Sequence, residues 1–352
     1  MDSGVFRCSF RPACPGICYA PSGESLELVA GFVSKIAVLS NPRSTRNLHS
    51  GADLRSAASS TYVLGYAEPD SPDTLRETLR DFARHGVDVI AINGGDGTLR
   101  EVLSALAFVD PDWLPSIAII PGGKTNLIAN DVGSASMGER GLWELVAAAR
   151  KGTLGQHRIR RPVLEVGRGD EFGKPIRGFF FGAGAFSRGT ELAQVEAHAM
   201  GMYHGLAVAW TIGSMFVRSI RGLPFGASGD DDMMTLVADD GIPQVGQRFV
   251  VVATTLERII LKLGIFWDGQ DGGTIRYTDI DGPPRRLVPA FLPVLRGRPK
   301  PWMTAAGYRS GRADRISLAL NSRFTLDGEL FEPGPSGEIL LSTPRTVDFV
   351  AP

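Results

Sequence analysis

One stretch of the sequence combines glycines with a single carboxylate in a pattern that could bind phosphate. It reads AINGGDGTLREVL from Ala91 to Leu103, and its central residues are Gly94, Gly95, Asp96, Gly97 and Thr98. Glycines allow backbone N–H groups to approach an anion closely, and the helix predicted from near Thr98 adds its positive end. A tight turn between a strand and a helix would also need glycine, but the embedded Asp96 favours the phosphate site.

Asp96 is the unexpected member of this loop, because a carboxylate repels phosphate unless a cation lies between them. Mg²⁺ bound to a nucleotide prefers carboxylate, water and phosphate oxygens as ligands, so Asp96 suits a Mg²⁺-nucleotide site. Asp96 could instead cap the helix that follows it, and the two roles are compatible. Ordinary P-loop and dinucleotide-binding sites are disfavoured, because neither of their glycine spacings is present.

A second candidate for chemistry lies near the carboxyl end of the chain. The stretch FTLDGELF, from Phe324 to Phe331, places Asp327 and Glu329 on either side of a glycine. A carboxylate at a strand end can act as a general base if it reaches the proton that it removes. Asp-Gly is also a common hairpin turn, and from this stretch alone the turn is the favoured interpretation.

The elements around the first stretch indicate a parallel sheet with helices on both faces. Buried strands are predicted at residues 35–40, 61–66, 87–92 and 116–121. Strands that alternate with helical patterns are typical of a parallel sheet, which binds ligands at the carboxyl ends of its strands. The loops at 41–45, 93–98 and 122–126 all follow strands, so we expect them to lie together at one edge of the sheet.

The pattern changes after about Gly155 to short β-like runs separated by Gly, Pro and Asp turns. Such runs predict a β-sandwich or flattened barrel, here interrupted by one helical insert from about Arg188 to Arg221. The predicted fold class is therefore α/β, with a parallel-sheet domain followed by a strand-rich domain. We expect a disordered tail at residues 1–33, the first domain at 34–152 and the second at 153–352.

The composition narrows the range of functions. The chain has 352 residues with 37 Lys plus Arg against 38 Asp plus Glu, and this balance disfavours a general nucleic-acid binder. Cys8, Cys14 and Cys18 match neither a disulfide framework nor a common zinc pattern. No run reaches about 18 uninterrupted apolar residues, so no membrane-spanning helix is predicted.

The motifs NPRST, NGGDGTLREV, PGGKTNLIANDVG and TLDGELF occur in this order along the chain. With them the sequence resembles the diacylglycerol kinase catalytic-domain family of lipid kinases, which includes bacterial diacylglycerol kinases and sphingosine and ceramide kinases. The resemblance covers roughly Ser34 to Val350. It implies a Rossmann-like nucleotide domain, a β-sandwich lipid-binding domain, an active site between the two, and ATP and Mg²⁺ as cofactors.

The resemblance also implies roles for particular residues. The implied nucleotide contacts are Asn41, Arg43 and Ser44 in the first loop, Gly94, Gly95, Asp96, Gly97 and Thr98 in the second, and Gly123, Lys124 and Asn126 in the third. Asp327 is implied as the general base for the lipid hydroxyl, with Glu329 beside it, and Asp96 as a contact of the nucleotide Mg²⁺. Some bacterial members bind a structural Mg²⁺ at an acidic turn, for which Asp271 is the nearest candidate and a plain turn the favoured alternative.

Three positions depart from the family pattern. Thr45 stands where Gly is frequent, and Lys124 stands where Thr or Ser is common. A lysine at the third loop could neutralise the β- and γ-phosphates, so activity need not suffer. Leu127 stands where an acidic residue is frequent and the next acid is Asp131, which leaves a direct acidic role for this loop in doubt.

The expected function is that of an ATP-dependent lipid kinase in the cytoplasm, attached peripherally to a membrane surface. Diacylglycerol is the default acceptor, and ceramide or a sphingoid base fits the same chemistry. A NAD kinase shares the GGDG loop but should show an Asn-Glu pair after the third strand region, which TNLIAND does not supply. A catalytically silent lipid-binding protein is disfavoured because Asp96 and Asp327 are both present. The partners expected are the lipid and the membrane, with a homodimer left open.

Two apolar stretches are candidates for contact with lipid. Met202–Gly222 is interpreted as a core-facing helix or, alternatively, as a wall of an acyl-chain pocket. Arg285–Lys300 carries bulky apolar residues between basic ends, and it predicts either a membrane-facing patch or a solvated loop with a buried middle.

Overall fold

The chain divides into two compact units. Unit 1 comprises Met1–Arg161 and Val347–Pro352, and unit 2 comprises Pro162–Thr346. The computed structural model describes residues 11–14, 17–19, 34–50, 54–169, 173, 175–191, 233–259, 264–267 and 272–352. The boundary predicted at residues 152 and 153 lies inside unit 1, and the last residues of the chain also return to that unit.

Unit 1 alternates strands and helices. Its strands are β1 (Arg11–Cys14), β2 (Ile17–Tyr19), β3 (Ile36–Ser40), β4 (Gly65–Ala67), β5 (Val89–Gly94) and β6 (Ser116–Pro121). Its helices are α1 (Thr45–Ser50), α2 (Leu54–Ser60), α3 (Pro72–Arg84), α4 (Asp96–Ala105), α5 (Leu127–Val132) and α6 (Gly138–Arg150). The strand predicted at 61–66 begins only at Gly65, because Thr61 belongs to a turn in which its N–H donates to the Ala58 carbonyl at 3.3 Å.

The central sheet of unit 1 is parallel and reverses its strand order at the middle. β3 pairs with β4 on one side and with β5 on the other, and β5 pairs with β6. The chain therefore leaves β3 in one direction and β5 in the opposite direction, which opens a crevice at their carboxyl ends. In open parallel sheets such a switch point is the usual place for a ligand.

Helices cover both faces of this sheet. Ile36 and Val38 of β3 belong to one apolar cluster with residues of α2 and α6. Every residue of β3 and β5 is buried, as expected when both faces are covered, and α3 contacts α4. The predicted start of α3 is confirmed, since the Ser71 side chain accepts the Thr74 N–H and Pro72 lies in the first turn. The parallel α/β class predicted for this part of the chain is therefore confirmed.

The segment expected to be a disordered tail contains two short strands, β1 and β2. β2 pairs in antiparallel fashion with β4, opposite the side on which β4 pairs with β3. Without β2, the outer edge of β4 would present unpaired N–H and C=O groups, which attract another strand. The structure thus describes two strands within the segment expected to be a tail, and Cys8 lies outside the described residues.

Unit 2 is rich in antiparallel strands. They are β7 (His157–Gly167), which begins in unit 1, β8 (Ile176–Gly178), β9 (Phe180–Gly184), β10 (Met233–Ala238), β11 (Gln244–Thr254), β12 (Ile275–Asp281), β13 (Tyr308–Ala313), β14 (Arg315–Leu320), β15 (Phe324–Leu326), β16 (Glu329–Phe331) and β17 (Glu338–Ala351). Between β12 and β13 lie two helices, α7 (Leu287–Leu295) and α8 (Pro301–Ala305). β11 pairs with β10 in one sheet and with β12 and β9 in another, so this long strand passes between two sheets. Their inner faces share one apolar cluster, as predicted for a β-sandwich.

β17 explains why the last residues belong to unit 1. The strand pairs with β14 through residues 338–342 and then continues until Phe349 pairs in parallel with Ile117 of β6. The sequence shows this strand as one more β-like run, and nothing local indicates that its end joins the other sheet.

Several sequence predictions fall on residues that the structure does not describe. These are Asp271, the apolar stretch Met202–Gly222 and the helical insert beyond residue 191, while residues 185–191 are helical. Within the described part of the chain, no helix is both long and apolar enough to cross a membrane.

Candidate active site

Three loops meet at the carboxyl edge of the unit 1 sheet, at the switch point between β3 and β5. We call residues 41–44 the first loop, residues 94–98 the second loop and residues 122–126 the third loop. The Asn41 N–H donates to the Asn93 carbonyl at 2.9 Å, and the Gly122 N–H donates to the Gly94 carbonyl at 2.8 Å. The strand order therefore brings together the three loops that the sequence singled out.

The glycines of the second and third loops allow two backbones to touch. A Cβ atom on Gly123 would lie 2.6 Å from the Cα of Gly95, so any side chain there would push the loops apart. Gly95 is also the N-cap of α4, and no side chain caps the N–H groups of that helix end. These amides remain available for an anion, which the positive end of the helix dipole also favours.

Two asparagines shape the loops from within. Asn126 has left-handed backbone (φ 49°), and its side chain forms two hydrogen bonds of 3.0 Å with the N–H and the carbonyl of Gly123. The Asn41 Nδ2 donates to Thr98 Oγ1 at 2.9 Å, and its Oδ1 accepts the Arg43 N–H at 3.0 Å. Asn41, Thr98 and Asn126 thus hold the loops in shape, whatever contacts they make with a ligand.

Asp96 joins the second loop to the third. Its carboxylate oxygens accept the N–H of Leu127 at 2.9 Å and the N–H of Ile128 at 3.1 Å. Asp96 is the first residue of α4, so the helix that it caps is α5, which begins at Leu127, and not the helix that follows it in sequence. Burial raises the pKa of Asp96, and hydrogen bonds from the N–H groups of Ile128, Leu127 and Asp96 itself partly oppose this rise.

The hydrogen bonds of Asp96 determine how its carboxylate suits a Mg²⁺ ion that a nucleotide carries. One oxygen accepts the Leu127 N–H and the other accepts the Ile128 N–H, and each carboxylate oxygen has a second lone pair that suits a water molecule. Among the described residues, no group of three or more His, Cys, Asp or Glu side chains could hold a metal ion. Asp96 is therefore suited to contact a cation that phosphates and water already bind, and not to build a metal site of its own.

Three cationic residues lie in the loops or directly after them: Arg43, Arg46 and Lys124, and the Arg46 guanidinium also contacts the Met137 sulfur at 3.0 Å. None of them has an ion-pair partner among the described residues, whereas Arg55, Arg140, Arg160 and Arg161 each contact a carboxylate within 3 Å. Cations without a carboxylate partner suit a ligand with several negative charges. Ser44 lies half-buried between them, and its N–H donates to the Asn41 carbonyl at 3.1 Å.

Sequence reasoning missed Arg46 and Asn47, which lie on the first turn of α1. The Arg46 N–H donates to the Gly122 carbonyl at 2.9 Å, and the Asn47 Nδ2 donates to the Asn41 carbonyl at 2.8 Å. Both residues therefore tie α1 to the first and third loops. The sequence could have indicated them by position, because both directly follow a loop that begins at a strand end. The first turn of a helix after such a loop lies at the carboxyl edge of the sheet, where the three loops meet.

In unit 2, Asp327 and Gly328 form the two-residue turn between β15 and β16. Both have positive φ, 50° and 85°, which is the pattern of a type I′ hairpin turn. The Asp327 carboxylate accepts the Phe179 N–H at 3.1 Å and the Phe180 N–H at 2.9 Å. The turn interpretation is thus correct, and the turn also holds the carboxylate in one orientation. Glu329 is exposed at the first position of β16.

The comparison with protein families decides the identity of the loop region. The model of the diacylglycerol kinase catalytic domain matches residues 35–156, which include all three loops. Residues 35–156 belong to the diacylglycerol kinase catalytic-domain family. This catalytic domain lies wholly within unit 1, and the motifs by which the sequence resembles the family are the loops that converge there.

Curated relatives match short parts of this chain. A protein of Stenotrophomonas maltophilia (strain K279a), named "Probable lipid kinase YegS-like", is 51% identical over 51 residues, which is 14% of this chain and 16% of that protein. The chain thus spans about a sixth of the length of the curated relatives that it matches: 16% of this first relative and 15% of a second.

Solved structures share the fold over nearly the whole chain. A crystal structure of a diacylglycerol kinase from Bacillus anthracis str. Sterne aligns with 91% of this chain and 97% of its own, with a TM-score of 0.53 at 17% identity. Another structure from the same organism aligns over the same shares with a TM-score of 0.57 at 18% identity. These alignments show that the diacylglycerol kinase catalytic domain and the strand-rich unit occur together in one known fold.

Proposed function

We propose that this chain is an ATP-dependent lipid kinase that transfers the γ-phosphoryl group of ATP to a lipid hydroxyl. The observation that carries the proposal is the convergence of three loops at the switch point of a diacylglycerol kinase catalytic domain, with three cations that have no carboxylate partner among the described residues. A triphosphate suits this edge, because backbone amides and cations there converge on one region.

The proposed nucleotide contacts lie in unit 1. Uncapped N–H groups at the start of α4 and the side chains of Arg43, Arg46 and Lys124 would bind the phosphates. Asp96 would contact the Mg²⁺ of the nucleotide through water, and that ion would supply neutralisation of charge on the phosphate oxygens. Asn41 and Asn126 would keep the loops in the conformation that aims these groups at the ligand.

The proposed acceptor chemistry uses Asp327. The lipid hydroxyl oxygen forms a bond to the γ-phosphorus while the bond from that phosphorus to the β–γ bridging oxygen breaks, and ADP leaves. The hydroxyl proton passes to the Asp327 carboxylate, which the N–H groups of Phe179 and Phe180 hold in place. Glu329, two residues further along the hairpin, would add negative charge near this group.

Diacylglycerol is the acceptor that we propose first, with peripheral attachment to the membrane that contains it. Ceramide and sphingoid bases present the same kind of primary hydroxyl beside acyl chains. The test is an assay of the full chain with γ-labelled ATP, Mg²⁺ and micelles of diacylglycerol, monoacylglycerol, ceramide or sphingosine, with NAD as a separate acceptor. We expect label in a lipid. Label in no lipid contradicts the proposal, and label in NAD alone makes the chain a NAD kinase.

A matched pair of variants tests Asp327. Asp239 also has left-handed backbone (φ 49°), and its carboxylate also accepts two backbone N–H bonds, from Asp314 at 2.8 Å and Arg315 at 2.9 Å. If Asp327 is the general base, Asp327→Asn lowers kcat by about 100-fold or more, whereas Asp239→Asn leaves it nearly unchanged. If the two variants lose activity equally, Asp327 acts only through the stability of its turn.

A further inference from the structure

α7 carries apolar side chains on both of its faces. All nine residues of Leu287–Leu295 are apolar, yet Ala290 is the only one that is buried. Ala290 and Val294 pack on a small core that contains Ile280 and Tyr308. The helix therefore uses one face for packing and leaves the other in contact with water.

The outer face of α7 exposes two bulky side chains one turn apart. Val288 is 40% exposed and Leu292 is 49% exposed. Residues four apart share a face of a helix, so these two side chains form a continuous apolar strip. The segment is therefore a helix and not a loop, and its middle combines the buried Ala290 with the exposed Val288 and Leu292.

Basic side chains flank this strip at both ends. They are Arg285, Arg286, Arg296, Arg298 and Lys300, all exposed and all without an ion-pair partner among the described residues. The stretch from residue 283 to residue 307 contains no Asp or Glu. The Arg286 guanidinium lies 5.6 Å from the ring centroid of Trp302, which is itself half-buried. We call residues 285–302 the α7 patch.

We infer that the α7 patch is the surface by which this protein binds anionic lipid bilayers. A helix that lies in the plane of a membrane needs bulky apolar groups directed into the lipid, basic groups at the headgroups, and often a tryptophan at the interface. The α7 patch has all three features. The charged residues of the α7 patch are all basic, so an anionic bilayer complements it better than a neutral one or a second copy of the same basic patch. This surface deepens the proposed function by naming where the enzyme meets its lipid.

The test measures binding of the full chain to vesicles in the absence of ATP. The vesicles consist of phosphatidylcholine alone or of phosphatidylcholine with phosphatidylglycerol, and bound protein is separated by flotation. We expect binding to the anionic vesicles that weakens as salt increases. Removal of two basic groups in Arg296→Gln/Arg298→Gln should lower the partition coefficient about 30-fold, and Val288→Ser/Leu292→Ser should lower it about tenfold.

The controls lie elsewhere in unit 2. Leu340 is 42% exposed on β17, and Arg345 is exposed without an ion-pair partner among the described residues. Leu340→Ser and Arg345→Gln should bind vesicles as the original chain does, and exposed substitutions of this kind leave the fold intact. Equal losses in the control variants, or no vesicle binding by the original chain, would overturn the inference.

A third outcome would assign the α7 patch to a different occupant. If Val288→Ser/Leu292→Ser changes the molar mass measured by light scattering but not vesicle binding, a second copy covers the patch and the inference is wrong. The vesicle assay uses neither ATP nor a substrate lipid. A failed kinase assay therefore leaves this inference standing, and a failed vesicle assay leaves the kinase proposal standing.

Discussion

Three aspartates each hold in place a backbone segment that is distant in sequence, and they do so with the same kind of hydrogen bonds. Asp96, Asp239 and Asp327 each accept two backbone N–H bonds from residues at least 31 positions away in sequence. A carboxylate that is held in this way keeps its charge at a defined place, which suits both structural and catalytic use. Residue type alone could not separate the two uses, because the donors lie on other elements.

The pH dependence of stability should reveal the burial of Asp96. Its raised pKa means that the folded protein holds the Asp96 proton more tightly than the unfolded chain does. Asp96 therefore contributes stability at low pH that is lost as the pH rises from about 3.9, the ordinary value, through the raised pKa. We expect the free energy of unfolding of the original chain, relative to that of Asp96→Asn, to fall across this range in urea titrations. A rise instead would mean that the backbone hydrogen bonds to the Asp96 carboxylate outweigh its burial.

Lys124 offers a residue-scale test of nucleotide binding. Lys124→Met removes a cation at the tip of the third loop that has no carboxylate partner among the described residues. We expect kcat/KM for ATP to fall about tenfold or more, because a hydrogen bond to a charged group contributes about 1.5–3 kcal/mol. Lys151→Met, on an exposed lysine after α6, should leave the same constant unchanged. An equal fall in both variants would remove Lys124 from the phosphate site.

At the scale of elements, the contact between the second and third loops is the feature most sensitive to substitution. Gly123→Ala would place a Cβ atom 2.6 Å from the Gly95 Cα, and backbone on both sides leaves little room for adjustment. We expect a loss of about 1–3 kcal/mol in the free energy of unfolding and a larger loss in ATP affinity. The measurements are urea unfolding and ATP titration.

Gly155→Ala is the control for this loop contact. A Cβ atom at Gly155 would meet only the Arg158 side chain at 3.8 Å, which is ordinary van der Waals contact. This variant should keep both stability and ATP affinity. If Gly123→Ala behaves like Gly155→Ala, the two loops do not need their close approach to bind a nucleotide.

At the scale of the whole molecule, unit 1 is completed by the far end of the chain. Phe349 and Val350 are almost fully buried, and Asp348 pairs with Arg160 at 2.7 Å, where the hydrogen bond from Arg160 lowers the pKa of Asp348. A chain that ends at Thr346 should lose at least about 3–5 kcal/mol, the usual cost of removing one buried Phe side chain. That loss is a large part of the stability of an ordinary domain, about 5–15 kcal/mol.

Chemical unfolding monitored by circular dichroism checks this truncation. Removal of Pro352 alone, which is exposed, is the control and should leave the transition unchanged. An unchanged transition in the chain that ends at Thr346 would show that unit 1 is stable without its last strand, and that the parallel pairing of Phe349 with Ile117 adds little.

The sequence by itself determined the local features of this protein. The buried strand at 116–121, the Ser71 cap, the glycines of the second loop and the Asp-Gly turn at Asp327 all follow from periodicity, capping and turn chemistry, which act within a few residues. The order of the motifs was enough to indicate the family. The convergence of the three loops also followed, because parallel strands place their carboxyl ends at one edge.

Only the tertiary structure decided which distant groups meet. Asp96 caps α5 and not its own helix, the end of β17 joins the sheet of unit 1, and α7 presents an apolar face to water. Each of these features depends on how elements far apart in sequence pack against each other. The local sequence shows only an acidic residue, a β-strand and an apolar helix. Hydrogen bonds and burial are set by neighbours in space, so a residue whose neighbours come from another part of the chain takes its role from the fold.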